Sequence, residues 1–220
     1  PSNVDQITSS DAGYEISYIL GKDGNVVCIG KNNITVFSED LKNTFWKKKF
    51  DSEITEAKII GDQICILLDN SSLVMYSLVS GNETMTWDMV KSFSCNEKYL
   101  ILFHEDVMKV YDVQKKSFSR LLSDYGTIPE KTVWCGNEVF GIRENYVYSI
   151  LSDAKKFSCD SNILFSVSHG DYVFMLTKNY IYRIDSELHV FCKSKINLEK
   201  VNDICVDDKY LYVIHSKGLL

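Results

Sequence analysis

The chain has 220 residues, 45% of them hydrophobic, which is enough to bury a sizeable core. A formal net charge of -6 argues against a general nucleic-acid or acidic-membrane surface. Apolar runs are about one strand long, well short of the ~20 residues of a helical membrane span, and no charged-then-apolar leader opens the sequence.

Before the first apolar run come Asn3 to Thr8 and then Ser9-Ser-Asp-Ala-Gly13. Six apolar runs follow in turn: Asn25–Ile29, Gln63–Leu67, Tyr99–Phe103, Glu138–Ile142, Tyr172–Leu176 and Tyr210–Ile214. Their starts lie 34 to 39 residues apart. The first five lead into polar turns (Lys31-Asn32, Asp69-Asn70, Glu105-Asp106, Glu144-Asn145, Lys178-Asn179) and then a second apolar run, the pattern of a β-hairpin. Each of the six is preceded by another turn: Asp23-Gly24, Gly61-Asp62, Asn96-Glu97, Gly136-Asn137, Gly170-Asp171 and Asp207-Asp208. These residues accept positive φ or bond their own backbone.

A period near 40 with several strands per unit predicts an all-β fold, a β-propeller of four-stranded antiparallel blades. Within each repeat the order is strand a, turn, strand b, turn, strand c, loop, strand d. Blade 2 shows it best, with strands at 54–60, 63–68, 73–79 and 84–89. Blade 1 spans about 14–50, blade 3 90–122, blade 4 131–160 and blade 5 162–198, and a sixth begins at Val201. Strand b centres near Ile29, Ile66, Leu102, Phe140, Phe174 and Val213. About five and a half blades form one domain over 1–220. An open ring leaves strand edges in water. The chain is therefore expected to belong to a longer polypeptide, starting as it does at Pro1, whose remainder completes the propeller and raises its melting temperature. Residues 3–8 could supply an outer strand to the last blade.

Blade 3 ends strand c in Val110-Tyr111-Asp112-Val113, and blade 5 has Ile184-Asp185 there. These pairs resemble the Trp-Asp of the WD40-like β-propeller family. The Gly-His that the family places before strand a is missing, so the hydrogen-bond network built on that His is not expected. The resemblance implies a propeller used as an interaction platform.

Residues that could carry chemistry are sparse. Seven cysteines, about one per repeat, form no Cys-x-x-Cys pair and no Cys/His cluster at metal spacing. They read as small buried hydrophobes in a reducing compartment, cytoplasmic or nuclear. Asn33, Asn70 and Asn82 open Asn-x-Ser/Thr triplets, no more than this composition gives by chance. His104 and His215 end strand b in blades 3 and 6 without a third ligand, so no metal and no cofactor is expected. Residues 9–13 imitate a sialidase turn but lack its Trp and its repetition. An enzyme is not expected, and a glycan-processing propeller is the weakest alternative.

Two surface features remain. Lysines beside aromatics near strand d (Lys47, Lys48, Lys49, Lys115, Lys116, Lys155 and Lys156) form a rim for an anionic partner, or protect exposed edges against strand addition. That rim carries the alternative of an RNA-associated propeller in RNA processing or ribosome assembly. The segment 123–130 interrupts the repeat and holds the internal proline. Asp124, Tyr125, Ile128 and Pro129 are its candidate partner-binding residues, because a rigid scaffold presents function on loops. The reading is a scaffold for other protein subunits in an intracellular multisubunit complex, without membrane insertion.

Overall fold

A computed structural model describes residues 9–123, 128–151, 155–196, 201–215 and 218–219. Among them no helix is formed, and none is therefore long and apolar enough to cross a membrane. The strands form five four-stranded sheets and one three-stranded sheet, each an antiparallel meander of sequence neighbours. The fold is a β-propeller of about five and a half blades. By contact the chain divides into two compact units, Pro1–Asp124 and Tyr125–Leu220.

The first unit holds three blades. Blade 1 is β1 (Tyr18–Lys22), β2 (Asn25–Ile29), β3 (Asn33–Ser38) and β4 (Thr44–Lys49). Blade 2 is β5 (Ile54–Ile60), β6 (Gln63–Leu68), β7 (Leu73–Ser77) and β8 (Glu83–Trp87). Blade 3 is β9 (Ser92–Cys95), β10 (Tyr99–Phe103), β11 (Val107–Asp112) and β12 (Ser117–Ser123). The core lies between blades. On β6, Ile64, Ile66 and Leu68 face blade 1, while Cys65 and Leu67 face blade 3. This two-residue alternation with both faces buried explains why strand b reads as a continuous apolar run.

In blades 1 and 2 an aromatic from strand d fastens the blade to strand c of the next. Trp46 of β4 packs 6.1 Å from Tyr76 and donates its indole N–H to the Leu78 carbonyl at 2.8 Å. Trp87 of β8 meets Tyr111 edge-on at 5.3 Å. Lys48 lies over the Tyr76 ring at 4.3 Å. The lysine–aromatic repeat thus reflects, at these positions, an inward aromatic that seals the blade contact.

The second unit repeats the plan. Blade 4 is β13 (Lys131–Cys135), β14 (Glu138–Arg143), β15 (Tyr146–Ser149) and β16 (Lys156–Ser158). Blade 5 is β17 (Phe165–His169), β18 (Tyr172–Leu176), β19 (Tyr180–Ile184) and β20 (Val190–Lys195). Blade 6 is β21 (Val201–Val206), β22 (Leu211–His215) and β23 (Gly218–Leu219). Phe157 of β16 meets Tyr182 of β19 at 5.7 Å, the same fastening as in the first unit. The first strands of successive blades touch, β13 with β17 and β17 with β21. Strand a is therefore the inner strand.

Strand c closes its outer turn by a repeated device. Ser38 Oγ accepts from the Asn43 N–H at 3.0 Å, Ser77 Oγ from Ser80 at 3.3 Å and Asp112 Oδ1 from Lys115 at 2.9 Å. Asp185 Oδ1 accepts from Glu187 at 2.9 Å and His189 at 2.8 Å. The Trp-Asp-like position is therefore a turn cap, filled by Ser or Asp after a large apolar residue. No Gly-His precedes strand a, yet blade 5 builds a network there around Asp160. Its carboxylate accepts from Thr177 (2.8 Å), Tyr182 (3.0 Å) and Asn179 (3.0 Å).

These carboxylates should make the fold acid-sensitive. Asp160 is partly desolvated, which opposes ionisation, but its donors prevail and hold the carboxyl below the usual range. At Asp207 the backbone N–H groups of Lys209 and Tyr210 do the same. A carboxyl held low in the folded state stabilises it fully above the unfolded value of about 3.9, and the contribution disappears as pH falls through the folded value. Unfolding free energy should therefore drop below about pH 4. Asp160→Asn should remove part of that dependence in denaturant melts across pH; an unchanged slope would contradict the assignment.

The cysteines are free, as befits core residues, but they are not all in the core. Cys28, Cys65, Cys135 and Cys159 are buried and Cys95 is half-buried, whereas Cys192 and Cys205 are exposed. The expectation of seven buried thiols is corrected at these two. Cys192 lies on β20, the edge strand of its sheet. Burial pushes the thiols of Cys95 and Cys135 up to about 11 and that of Cys159 to about 12. Since the thiolate is the nucleophile, a thiol reagent should label Cys192 and Cys205 quickly in the native protein and the buried cysteines only in denaturant. Mass spectrometry of the labelled peptides reads the difference.

Candidate functional site

A cleft of about 590 Å³ opens between blades 4 and 5. Three turns build it. The turn between β13 and β14 contributes Cys135 to Glu138, the turn between β17 and β18 contributes Asp171 beside Tyr172, and the turn after β19 contributes Asp185, Ser186 and Glu187. Phe191 of β20 completes the lining. Gly136 and Gly170 take positive φ of 58° and 55°, which lets both inner turns close in two residues. The Cys135 thiol donates to the Asp171 carbonyl at 3.0 Å and joins the two turns.

Four carboxylates line the walls. Glu138 accepts the hydroxyl of Ser149, and Glu187 pairs with Lys155 of blade 4. Asp185 caps its own turn and also approaches His189 Nδ1 at 3.3 Å. Partial desolvation works against its ionisation, but the backbone N–H groups of His189 and Glu187 prevail and hold its carboxyl below the ordinary range. Asp171 is exposed and has no ion partner among the described residues.

Phe191 stands on a β-bulge. Arg183 pairs with Cys192 and Ile184 with Val190, so Phe191 is the extra residue of β20. A bulge re-aims its side chain, and Phe191 remains 58% exposed beside the cleft. It meets Tyr172 edge-on at 5.3 Å. The Arg183 guanidinium covers the Tyr172 ring at 3.8 Å.

None of the described residues proposed from sequence as a site lines this cleft. Asp124 and Tyr125 fall outside the described residues, as does the proposed outer strand 3–8. Pro129 is buried and Ile128 half-buried, just before β13 and at its opposite end from Cys135. Lys47 and Lys49 are exposed on β4, while Lys115 and Lys116 are exposed in the turn before β12. Lys48 and Lys156 lie over Tyr76 and Tyr146, and Lys155 is paired with Glu187. His104 Nδ1 lies 3.0 Å from the Met89 carbonyl; its partial burial, with Lys109 nearby, holds its pKa down. His169 Nε2 lies 2.9 Å from Asp208. Among the described residues no three His, Cys, Asp or Glu side chains are grouped to hold a metal.

Sequence reasoning passed over Glu138, Tyr172, Glu187 and Phe191. Asp171 was visible only as a turn residue and Asp185 only as the Trp-Asp-like end of strand c. The usable signal was the acidity of three turns that the blade order brings to one end of neighbouring blades.

No family model and no curated protein matches the chain. Solved propeller structures do. The computationally designed Ika8 protein has a TM-score of 0.68 at 12% identity, covering 91% of this chain and 68% of its own. BBS1N, solved in complex with ARL6DN, has a TM-score of 0.67 at 10% identity, with coverage of 89% and 73%. BamB from Moraxella catarrhalis has a TM-score of 0.54 at 10% identity, with coverage of 89% and 78%. At such identities the likeness defines the class, a β-propeller.

Proposed function

We propose that the chain is a protein–protein interaction scaffold, a WD40-like propeller subunit of a multisubunit complex in the cytoplasm or nucleus, with no catalysis of its own. The cleft between blades 4 and 5 carries this reading. It is concave, preformed, and held by short turns whose backbone is fixed by hydrogen bonds, so little ordering entropy opposes a partner. BBS1N shows that a propeller of this shape can be solved with a protein partner.

The RNA alternative is weaker, because Lys48, Lys155 and Lys156 of the rim are engaged by the chain's own rings and carboxylate. A glycosidase requires a general acid whose carboxyl titrates high, a role that does not suit Asp185, whose carboxyl is held below the ordinary range. Sedimentation of the native protein in cell extract tests the scaffold reading. A particle well above the mass of the single polypeptide is expected, and migration as a free monomer would contradict it.

A further inference from the structure

We propose that the cleft between blades 4 and 5 docks an arginine or lysine side chain from a basic segment of a protein partner. The inference rests on the scaffold reading and names the chemistry of its surface. Two observations converge on a cation, and a third gives it room. The volume, about 590 Å³, lies in the range of preformed ligand sites and accommodates a side chain with its flanking backbone. Phe191, raised on its bulge, presents an aromatic surface that the chain itself leaves 58% exposed. Glu138, Asp171, Asp185 and Glu187 line the same cleft.

The chain's own charges reduce this potential without cancelling it. Lys155 answers Glu187, and Arg183 lies against Tyr172. His189 stands by Asp185. Asp171, exposed in the lining of the cleft, is left without an ion partner among the described residues. Arg183 also shows the contact in miniature, a guanidinium 3.8 Å above Tyr172 and 5.8 Å from the Phe191 centroid. A cation placed over an aromatic face beside a carboxylate gains from both. An anionic or purely apolar segment would leave the four carboxylates facing like charge or dry surface.

Fluorescence anisotropy of a labelled octapeptide of alternating Arg and Gly, titrated with the whole chain, tests the proposal against a Glu–Gly control. The Arg peptide should bind and the Glu peptide should not. Asp171→Asn and Phe191→Ala are both exposed substitutions and should leave the melting temperature in place. Each should weaken binding about five- to thirtyfold, the equivalent of one cation–π or charge-assisted contact. Lys47→Ser with Lys49→Ser should not weaken it. Binding that ignores Asp171→Asn and Phe191→Ala, or no binding of the Arg peptide, would overturn the cleft assignment. If the natural protein still sediments as a large particle in that case, the scaffold reading survives and only the docking chemistry falls.

Discussion

Trp46→Ala should lower the unfolding free energy by about 3 to 5 kcal/mol, the range for truncating a large packed aromatic. Trp46 stands on an outer strand and is only half-buried, so the lower end of that range applies if the gap relaxes. Three contacts disappear together: the ring against Tyr76, the bond from the indole N–H to the Leu78 carbonyl, and packing on Gly81. At roughly 2–4 °C per kcal/mol for a chain of this size, the melting temperature should fall by about 6 to 20 °C. Trp46→Phe keeps a ring and loses the hydrogen bond, and should cost less. Gly81→Ala approaches the same contact from the other side. A Cβ there would sit 2.7 Å from the indole, on a backbone with φ of 68°. Denaturant melts that show Trp46→Ala within 1 kcal/mol of the wild type would refute the strand-d fastening.

Gly141→Ala should cost about 1 to 3 kcal/mol through overpacking. Gly141 is buried in the middle of β14 and pairs directly with Tyr148 of β15. An added Cβ would lie 2.5 Å from Cζ of that ring. The Tyr148 ring is half-buried and would have to move for the Cβ to fit. Gly61→Ala gives the contrast. No atom lies within 4 Å of its new Cβ, so only the strain of φ at 58° is felt, on the order of 1 kcal/mol. Equal effects from the two substitutions would show that the Tyr148 ring yields to the added Cβ and that space does not set the cost at Gly141.

The fold was legible because its rule is local and repeated. Four a-to-b turns close in two residues with Gly at or beside the bend, and β5 and β6 begin and end where alternation places them. Strand b ran apolar because both its faces meet neighbouring blades, as Ile64, Cys65 and Ile66 show. The strand-c caps were half-legible. Asp112 and Asp185 stood out as Trp-Asp-like, while Ser38 and Ser77 perform the same hydrogen bonding with a residue too common to notice.

The cleft was not legible, for a physical reason. Glu138, Asp171 and Glu187 are far apart in the chain: Asp171 reads as an ordinary turn residue, Glu138 as the start of a strand, and Glu187 carries no signal of its own. Their convergence depends on how blade 5 lies against blade 4, which no local pattern encodes. Phe191 was hidden more deeply, since a bulge changes which face a side chain takes without altering the composition of the strand. Cys192, its neighbour, was misjudged as buried through the same outer strand.

The most direct measurement of the scaffold claim is an affinity pull-down of the natural full-length protein under native conditions, with and without nuclease, followed by quantitative mass spectrometry. The account predicts defined protein subunits recovered in fixed stoichiometry, unchanged by nuclease. Recovery of the protein alone, or of partners that vanish when RNA is digested, would contradict it.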